Sequence, residues 1–262
     1  MPASAPAAFL VDLDGTLYSA DAPIPGAVEA LTRLRRAGVP FRLVTNTTSR
    51  SRRMLVERLA GYGFGVLAEE IVTATLAGAT LLRTRGLSRV APFVPAAALE
   101  DLAGLSLTGG TSDRPRAAAE AVVLGDLGER WTYDLLQEAF EHLMAGAALV
   151  ALSRDRYFRQ GERLVLDAGP FVAALEYAAN TSADVAGKPS TAFFAAAVES
   201  LGLARDRSVA MVGDDLWSDV DGAQRAGLQG WLVRTGKFRE DVLRSASIVP
   251  DRVLESVAVL GS

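Results

Sequence analysis

A succession of short, mostly apolar runs, each ending abruptly in polar or acidic residues, constrains this chain more than any other feature. Ala7 to Val11 reads as a buried strand that stops at Asp12-Leu13-Asp14-Gly15-Thr16-Leu17-Tyr18. Phe41 to Val44 ends in Thr45-Asn46-Thr47-Thr48-Ser49, and Ser208 to Val212 ends in Gly213-Asp214-Asp215. Runs that are nearly continuous in apolar residues, rather than alternating, suit strands covered on both faces, as in parallel sheets flanked by helices. Helical stretches separate them. Gly26 to Ala37 places Val28, Leu31 and Leu34 on one face and Arg33, Arg35 and Arg36 on the other, and Gly38 and Pro40 stop it. Arg50 to Ala60, Thr191 to Leu201 and Asp219 to Ala226 read the same way, and Val253 to Leu260 is expected to close the chain as a helix. Alternating strands and helices predict an α/β fold, a doubly wound parallel sheet of the Rossmann-like kind.

The middle of the chain changes character. Arg89 to Val94, Ala119 to Leu124 and Ala147 to Ser153 read as strands, with helices at Ala96 to Ala103 and Thr132 to Ala145. Arg154-Asp155-Arg156 and Gln160-Gly161-Glu162 flank Tyr157-Phe158 as the turns of a small antiparallel hairpin. Residues 78–182 are expected to form an inserted α/β domain, with a core built from 1–77 and 183–262. His142 reads as a partly exposed helix residue, and Phe193 and Phe194 as core.

The ends of the apolar runs carry the chemistry. Two like charges held close need a cation or a shared proton between them, and Mg²⁺ is the commonest oxygen-seeking choice. On a strand, Asp12 and Asp14 would share a face; a solvated acidic turn explains Asp-x-Asp-Gly equally well when it stands alone. In a parallel sheet, however, all carboxyl ends lie on one edge, where ligands bind. That edge would gather Asp12 and Asp14, Thr45 and Asn46, and Asp214 and Asp215, with Lys188 in the loop before a helix feeding the third strand. Such a set suits phosphoryl transfer, where positioning and charge neutralisation dominate. One aspartate attacks phosphorus; a second protonates the leaving oxygen and then deprotonates water. Thr45, Asn46 and Lys188 hold phosphoryl oxygens, while Asp214 and Asp12 ligate Mg²⁺, with Asp215 and Asp219 supporting them and Asp219 placed to hold a water beside the metal.

Composition narrows the classes. The chain has 262 residues, a formal net charge of −4 and no basic run, which argues against a nucleic-acid footprint. Zero cysteines exclude disulfides and thiolate chemistry, and one histidine excludes a histidine-cluster metal site. No apolar span approaches the ~20 residues of a membrane-crossing helix, so the expectation is a cytoplasmic protein with no membrane partner. Lys188 and Lys237 are the only lysines among 27 cationic residues, which tilts the loop around Lys188 towards function.

These stretches, in this order, resemble the haloacid dehalogenase superfamily of phosphatases. Val44-Thr45-Asn46-Thr47-Thr48 is similar to the second motif of its NagD-like class IIA branch. So is Gly213-Asp214-Asp215 running through Gly222-Ala223-Gln224 to Arg234-Thr235-Gly236-Lys237. Within that branch the pattern looks most like the phospholysine phosphohistidine inorganic pyrophosphate phosphatase-type hydrolases. The resemblance implies Asp12 as nucleophile, Asp14 as acid and base, Thr45 and Lys188 as phosphate ligands, and Asp214 as metal ligand. It also implies that the Asp14 backbone carbonyl reaches Mg²⁺ and that residues 78–182 form a C2-type cap. Asp14 separates such a phosphatase from a dehalogenase, which needs no acid there. Thr47, Thr48, Trp217 and Asp221 depart from the branch pattern.

The implied function is Mg²⁺-dependent hydrolysis of a small phosphorylated substrate through an aspartyl-phosphate. The alternatives are a non-catalytic phosphate-binding or phospho-accepting module, or a phosphatase acting on P–N bonds or pyrophosphate. Selectivity falls to the insertion, where Arg154, Arg156 and Tyr157 offer two guanidinium forks and an aromatic face. A homo-oligomer is compatible with all of this.

Overall fold

The computed structural model describes residues 6–160 and 163–261. In chain order the elements are β1 (Ala8–Asp12), β2 (Tyr18–Ser19), β3 (Ala22–Pro23), α1 (Ala27–Arg36), β4 (Phe41–Thr45), α2 (Arg52–Gly61), β5 (Ile71–Thr73) and α3 (Ala74–Thr84). Then come β6 (Arg89–Phe93), β7 (Ser106–Leu107), β8 (Ala121–Leu124), α4 (Tyr133–Met144), β9 (Ala148–Ala151), β10 (Tyr157–Gln160), β11 (Arg163–Leu166), α5 (Gly169–Ala179) and β12 (Asp184–Val185). The chain ends with α6 (Thr191–Glu199), β13 (Val209–Gly213), α7 (Gly222–Arg225), β14 (Gln229–Val233), α8 (Glu240–Ser245) and β15 (Arg252–Leu254).

The chain is an α/β protein with a Rossmann-like core and an inserted α/β cap, and it divides into two compact units. The first takes the described residues of Met1–Thr45, Leu55–Val72 and Lys188–Ser262. Its sheet has the order β15-β14-β13-β1-β4-β5, and β1 lies parallel to both β13 and β4. All five residues of β1 and of β13 are buried, as the apolar runs require. Phe9, Val11, Leu31, Leu34, Leu43, Leu55 and Trp231 pack into one core with Leu17 and Tyr18. The second unit, Asn46–Met54 and Thr73–Gly187, carries its own parallel sheet of order β12-β9-β8-β6-β7. Helices α3, α4 and α5 supply apolar residues to two cores that include the residues of this sheet.

Two local expectations change, and a third is met. Val253 to Leu260 is no helix: residues 252–254 pair in parallel with β14, and Val257–Val259 forms a short 3₁₀ turn. Its apolar spacing satisfied a helical period, but the sheet offered an open edge and Val253 is β-branched, so pairing prevailed at 252–254. His142 is buried rather than partly exposed, because it shares the inner face of α4 with Ala139 and Leu143. The hairpin exists as β10 against β11, with Tyr157 opposite Leu166. The turn expected around Gln160-Gly161-Glu162 falls at 161–162, outside the described residues.

Candidate active site

Two strand ends of the first unit meet at a buried cluster of charges, and a third lies beside them in the sheet. Asp12 is the last residue of β1 and Thr45 the last of β4; both are buried, and Asp12 lies opposite Val44 in the register. Asp214 follows directly on β13, and the next turn, Leu216–Asp221, brings Asp219 back beneath it. Carboxylate oxygens of Asp12, Asp214 and Asp219 lie within 4.8 Å of one another. Lys188, in the loop before α6, sends its ammonium into the same space and donates to Asp12 Oδ1 at 2.5 Å and to Asp219 Oδ1 at 2.6 Å. Asp219, read from the sequence as a support for water, thus places its own carboxylate in the cluster.

The charges of this cluster do not balance among themselves. Three buried carboxylates face one buried ammonium, which leaves two negative charges unbalanced if all are ionised. Burial pushes the Asp12 carboxyl well above its usual range; Lys188 pulls it back, and Asp219 and Asp214 push it up again. Burial, then Asp219, raises Asp214 to about 7 against the backbone N–H of Lys237. Burial would lower the Lys188 ammonium, but Asp12 and Asp219 outweigh it and hold the group charged. A cluster of hard oxygen donors with excess negative charge fits Mg²⁺, a hard cation held by one or two carboxylates together with water and substrate phosphate.

Asp214 is clamped from two sides. The Lys237 backbone N–H donates to its Oδ2 at 2.6 Å, and Thr235 Oγ1 donates to the Gly15 carbonyl at 2.6 Å. Gly15 and Gly236 have φ of +82° and +58°, and a Cβ on either would overlap Asp214 Oδ2. Asp215 caps the following turn, accepting from the N–H groups of Trp217 and Ser218, and its other oxygen meets Lys237 Nζ at 3.2 Å. Although burial would raise Asp215, Lys237 and the two N–H donors hold it below the ordinary carboxylate range.

Asp14 does not share a strand face with Asp12. Strand β1 ends at Asp12, and the Leu13 carbonyl accepts from the N–H groups of Thr16, Leu17 and Tyr18, turning the chain so that Asp14 is exposed. Its Oδ2 accepts from Tyr18 Oη at 3.0 Å. Burial first, and then Asp14, hold the Tyr18 phenol far above its usual range, so it stays protonated.

The remaining expected residues lie in the second unit. Asn46, one residue past Thr45, reaches Asp155 Oδ2 through Nδ2 at 3.5 Å. Thr48 Oγ1 accepts from the Asp126 N–H at 2.8 Å. Arg154 Nη2 is bound to Glu176 Oε2 at 2.6 Å, and the exposed Arg156 lies 5.9 Å from the Tyr157 ring centroid. Sequence reasoning assigned no role to Tyr18 or Lys237, though both lie in the stretches that caught attention.

Two family models match the chain: a haloacid dehalogenase-like hydrolase model over residues 9–107 and a HAD-hydrolase-like model over 185–260. The haloacid dehalogenase-like hydrolase domain-containing protein 2 of Rattus norvegicus is 45% identical over 232 residues, 88% of this chain and 85% of the relative. The phospholysine phosphohistidine inorganic pyrophosphate phosphatase of Homo sapiens is 34% identical over 255 residues, covering 95% and 90%. A glycerol phosphate phosphatase from Mycobacterium tuberculosis, crystallised in complex with magnesium, superposes with a TM-score of 0.85 at 31% identity, covering 98% of this chain and 77% of that one.

Proposed function

This chain belongs to the haloacid dehalogenase-like hydrolases, and on that premise we propose that it is a Mg²⁺-dependent phosphatase of small phosphorylated metabolites that works through an aspartyl-phosphate. The observation that carries this reading is the buried Asp12 carboxylate, held by Lys188 at 2.5 Å beside Asp214 and Asp219. A carboxylate shut away from water and fixed by a cation is a preorganised nucleophile.

The residues divide the work. An Asp12 oxygen attacks phosphorus in line, forming an aspartyl-phosphate as the bond to the leaving oxygen breaks. Asp14, exposed two residues on, gives its proton to that leaving oxygen. It then takes a proton from the water that attacks the aspartyl-phosphate, releasing phosphate and restoring Asp12. Lys188 and the Thr45 hydroxyl meet the charge that gathers on the phosphoryl oxygens. Asp12 and Asp214, with the Asp14 carbonyl, would hold Mg²⁺, and Asp219 and Asp215 would steady it. The bound metal would neutralise phosphoryl charge and keep the dianionic substrate close to the carboxylate.

The human relative's name adds a second substrate class, P–N bonds and inorganic pyrophosphate. The same acid would serve there by protonating the leaving nitrogen or phosphate.

The test is Asp12→Asn with p-nitrophenyl phosphate and Mg²⁺. Turnover should fall by about 10³-fold or more while the melting temperature holds, since the side chains are nearly isosteric. Rapid acid quench of the wild-type protein should trap a phosphoryl group on the peptide bearing Asp12. Near wild-type turnover by Asp12→Asn would refute the nucleophile, and a trapped phosphoryl group without turnover would point to a phospho-accepting module.

A further inference from the structure

Asp14 is exposed, unlike Asp12, Asp214, Asp219 and Lys188. An exposed carboxylate moves among its staggered rotamers unless something fixes it. An acid that must meet a leaving oxygen on every turnover loses rate when it is displaced by as little as an ångström or so. The Tyr18 hydroxyl is placed to prevent that, donating to Asp14 Oδ2 at 3.0 Å. A phenol has a single proton to give, and this one goes to Asp14.

Tyr18 itself cannot follow Asp14 into solvent, because its side chain is fully buried. Its backbone closes the turn on itself: Tyr18 N–H donates to the Leu13 carbonyl at 3.3 Å, and Gly15 N–H donates to the Tyr18 carbonyl at 2.7 Å. The Arg58 guanidinium lies 4.9 Å from the centroid of the Tyr18 ring. Arg58 is anchored in turn, giving Nε–H to Tyr62 Oη at 3.1 Å and Nη2–H to the Ala20 carbonyl at 2.6 Å. The Tyr62 ring completes the brace, 5.5 Å from that of Tyr18. Phenylalanine would fill the same core volume without burying a hydroxyl that needs a partner, so packing alone does not account for tyrosine.

We propose that Tyr18, braced by Arg58 and Tyr62, is a positioning residue for Asp14: by occupying Oδ2 it orients Oδ1 for proton exchange with the leaving oxygen and with the attacking water. This rests on Asp14 being the acid and base of the phosphatase reaction. Tyr18 touches neither phosphorus nor leaving group. Its effect is confined to the step in which Asp14 moves a proton, and it is largest where that proton is needed most. An alkoxide cannot leave without protonation, whereas p-nitrophenolate can.

The experiment compares Tyr18→Phe, Asp14→Asn and the double variant on glycerol phosphate and p-nitrophenyl phosphate. For Tyr18→Phe the ratio of kcat/KM for glycerol phosphate to that for p-nitrophenyl phosphate should fall about tenfold, through kcat rather than KM. Because both substrates meet the same sample, that ratio does not depend on how much of the variant is folded. In the Asp14→Asn background, Tyr18→Phe should cost nothing further on glycerol phosphate. Equal losses on the two substrates, or a full additional loss in the double variant, would overturn the positioning role. An Asp14→Asn variant that loses equally on both substrates would instead refute the acid–base assignment, a result read from a different protein.

Discussion

Proton and metal should compete for Asp214, and the competition can be measured without any turnover. Asp214 is buried and faces Asp219, and burial first and then that neighbour raise it to about 7. Mg²⁺ needs the ionised carboxylate, so below pH 7 the metal must displace a proton, and its apparent affinity should fall about tenfold for each pH unit. The same group governs the stability of the metal-free protein. Its folded pKa lies above the unfolded one, so the folded chain holds the extra proton between about pH 4 and 7. That contribution is complete at low pH and is lost as pH rises through 7, a window of about three units worth up to ~4 kcal/mol. The metal-free protein should therefore weaken from pH 5 to 8 through this site, while the stabilisation gained from Mg²⁺ grows over the same interval. Thermal denaturation with saturating Mg²⁺ or with chelator, at several pH values, reads both. Asp214→Asn, which cannot titrate, isolates this proton from that of Asp12, whose carboxyl is raised as well. A Mg²⁺-induced shift in melting temperature that stays flat from pH 5.5 to 8, or one whose pH dependence is undiminished in Asp214→Asn, would refute the reasoning.

Two further substitutions probe the same cluster. Lys188→Met leaves Asp12 and Asp219 buried without their cation, and breaking such a pair costs ~3–5 kcal/mol; chemical denaturation should show the loss shrinking at low pH, where the carboxylates can protonate. Gly236→Ala puts a Cβ into Asp214 Oδ2 at a φ of +58° and should destabilise by ~1–3 kcal/mol; a Mg²⁺ titration followed by melting temperature should also show weaker binding.

Asp12 and Asp214 were legible because a run apolar on every position announces both the burial of a strand and its end. Lys188 was legible as a candidate through its rarity, but its contact with Asp219 was not, since it joins residues far apart in the chain. The same holds for Lys237, whose backbone N–H rather than its side chain reaches Asp214. No sequence pattern marks a backbone donor. Asp14 shows how local rules mislead: period two put it on the face of Asp12, but the Leu13 carbonyl gathered three N–H groups and ended the strand first. For the last strand, an apolar period that fits a helix was overruled by a sheet edge formed elsewhere in the sequence.

The scarcity of lysine has a practical consequence once the two are located. Lys188 is 4% exposed between Asp12 and Asp219, and Lys237 is 65% exposed against Asp215. All of the chain's side-chain amines therefore stand at one spot. An acylating reagent that finds no other lysine to modify becomes a footprinting probe of that spot. Lys237 should label readily in the resting protein, and Lys188 only when the charges that enclose it are loosened. The ratio of the two labels, read by peptide mass spectrometry, would report the integrity of the site in any sample, including one whose natural substrate has yet to be supplied.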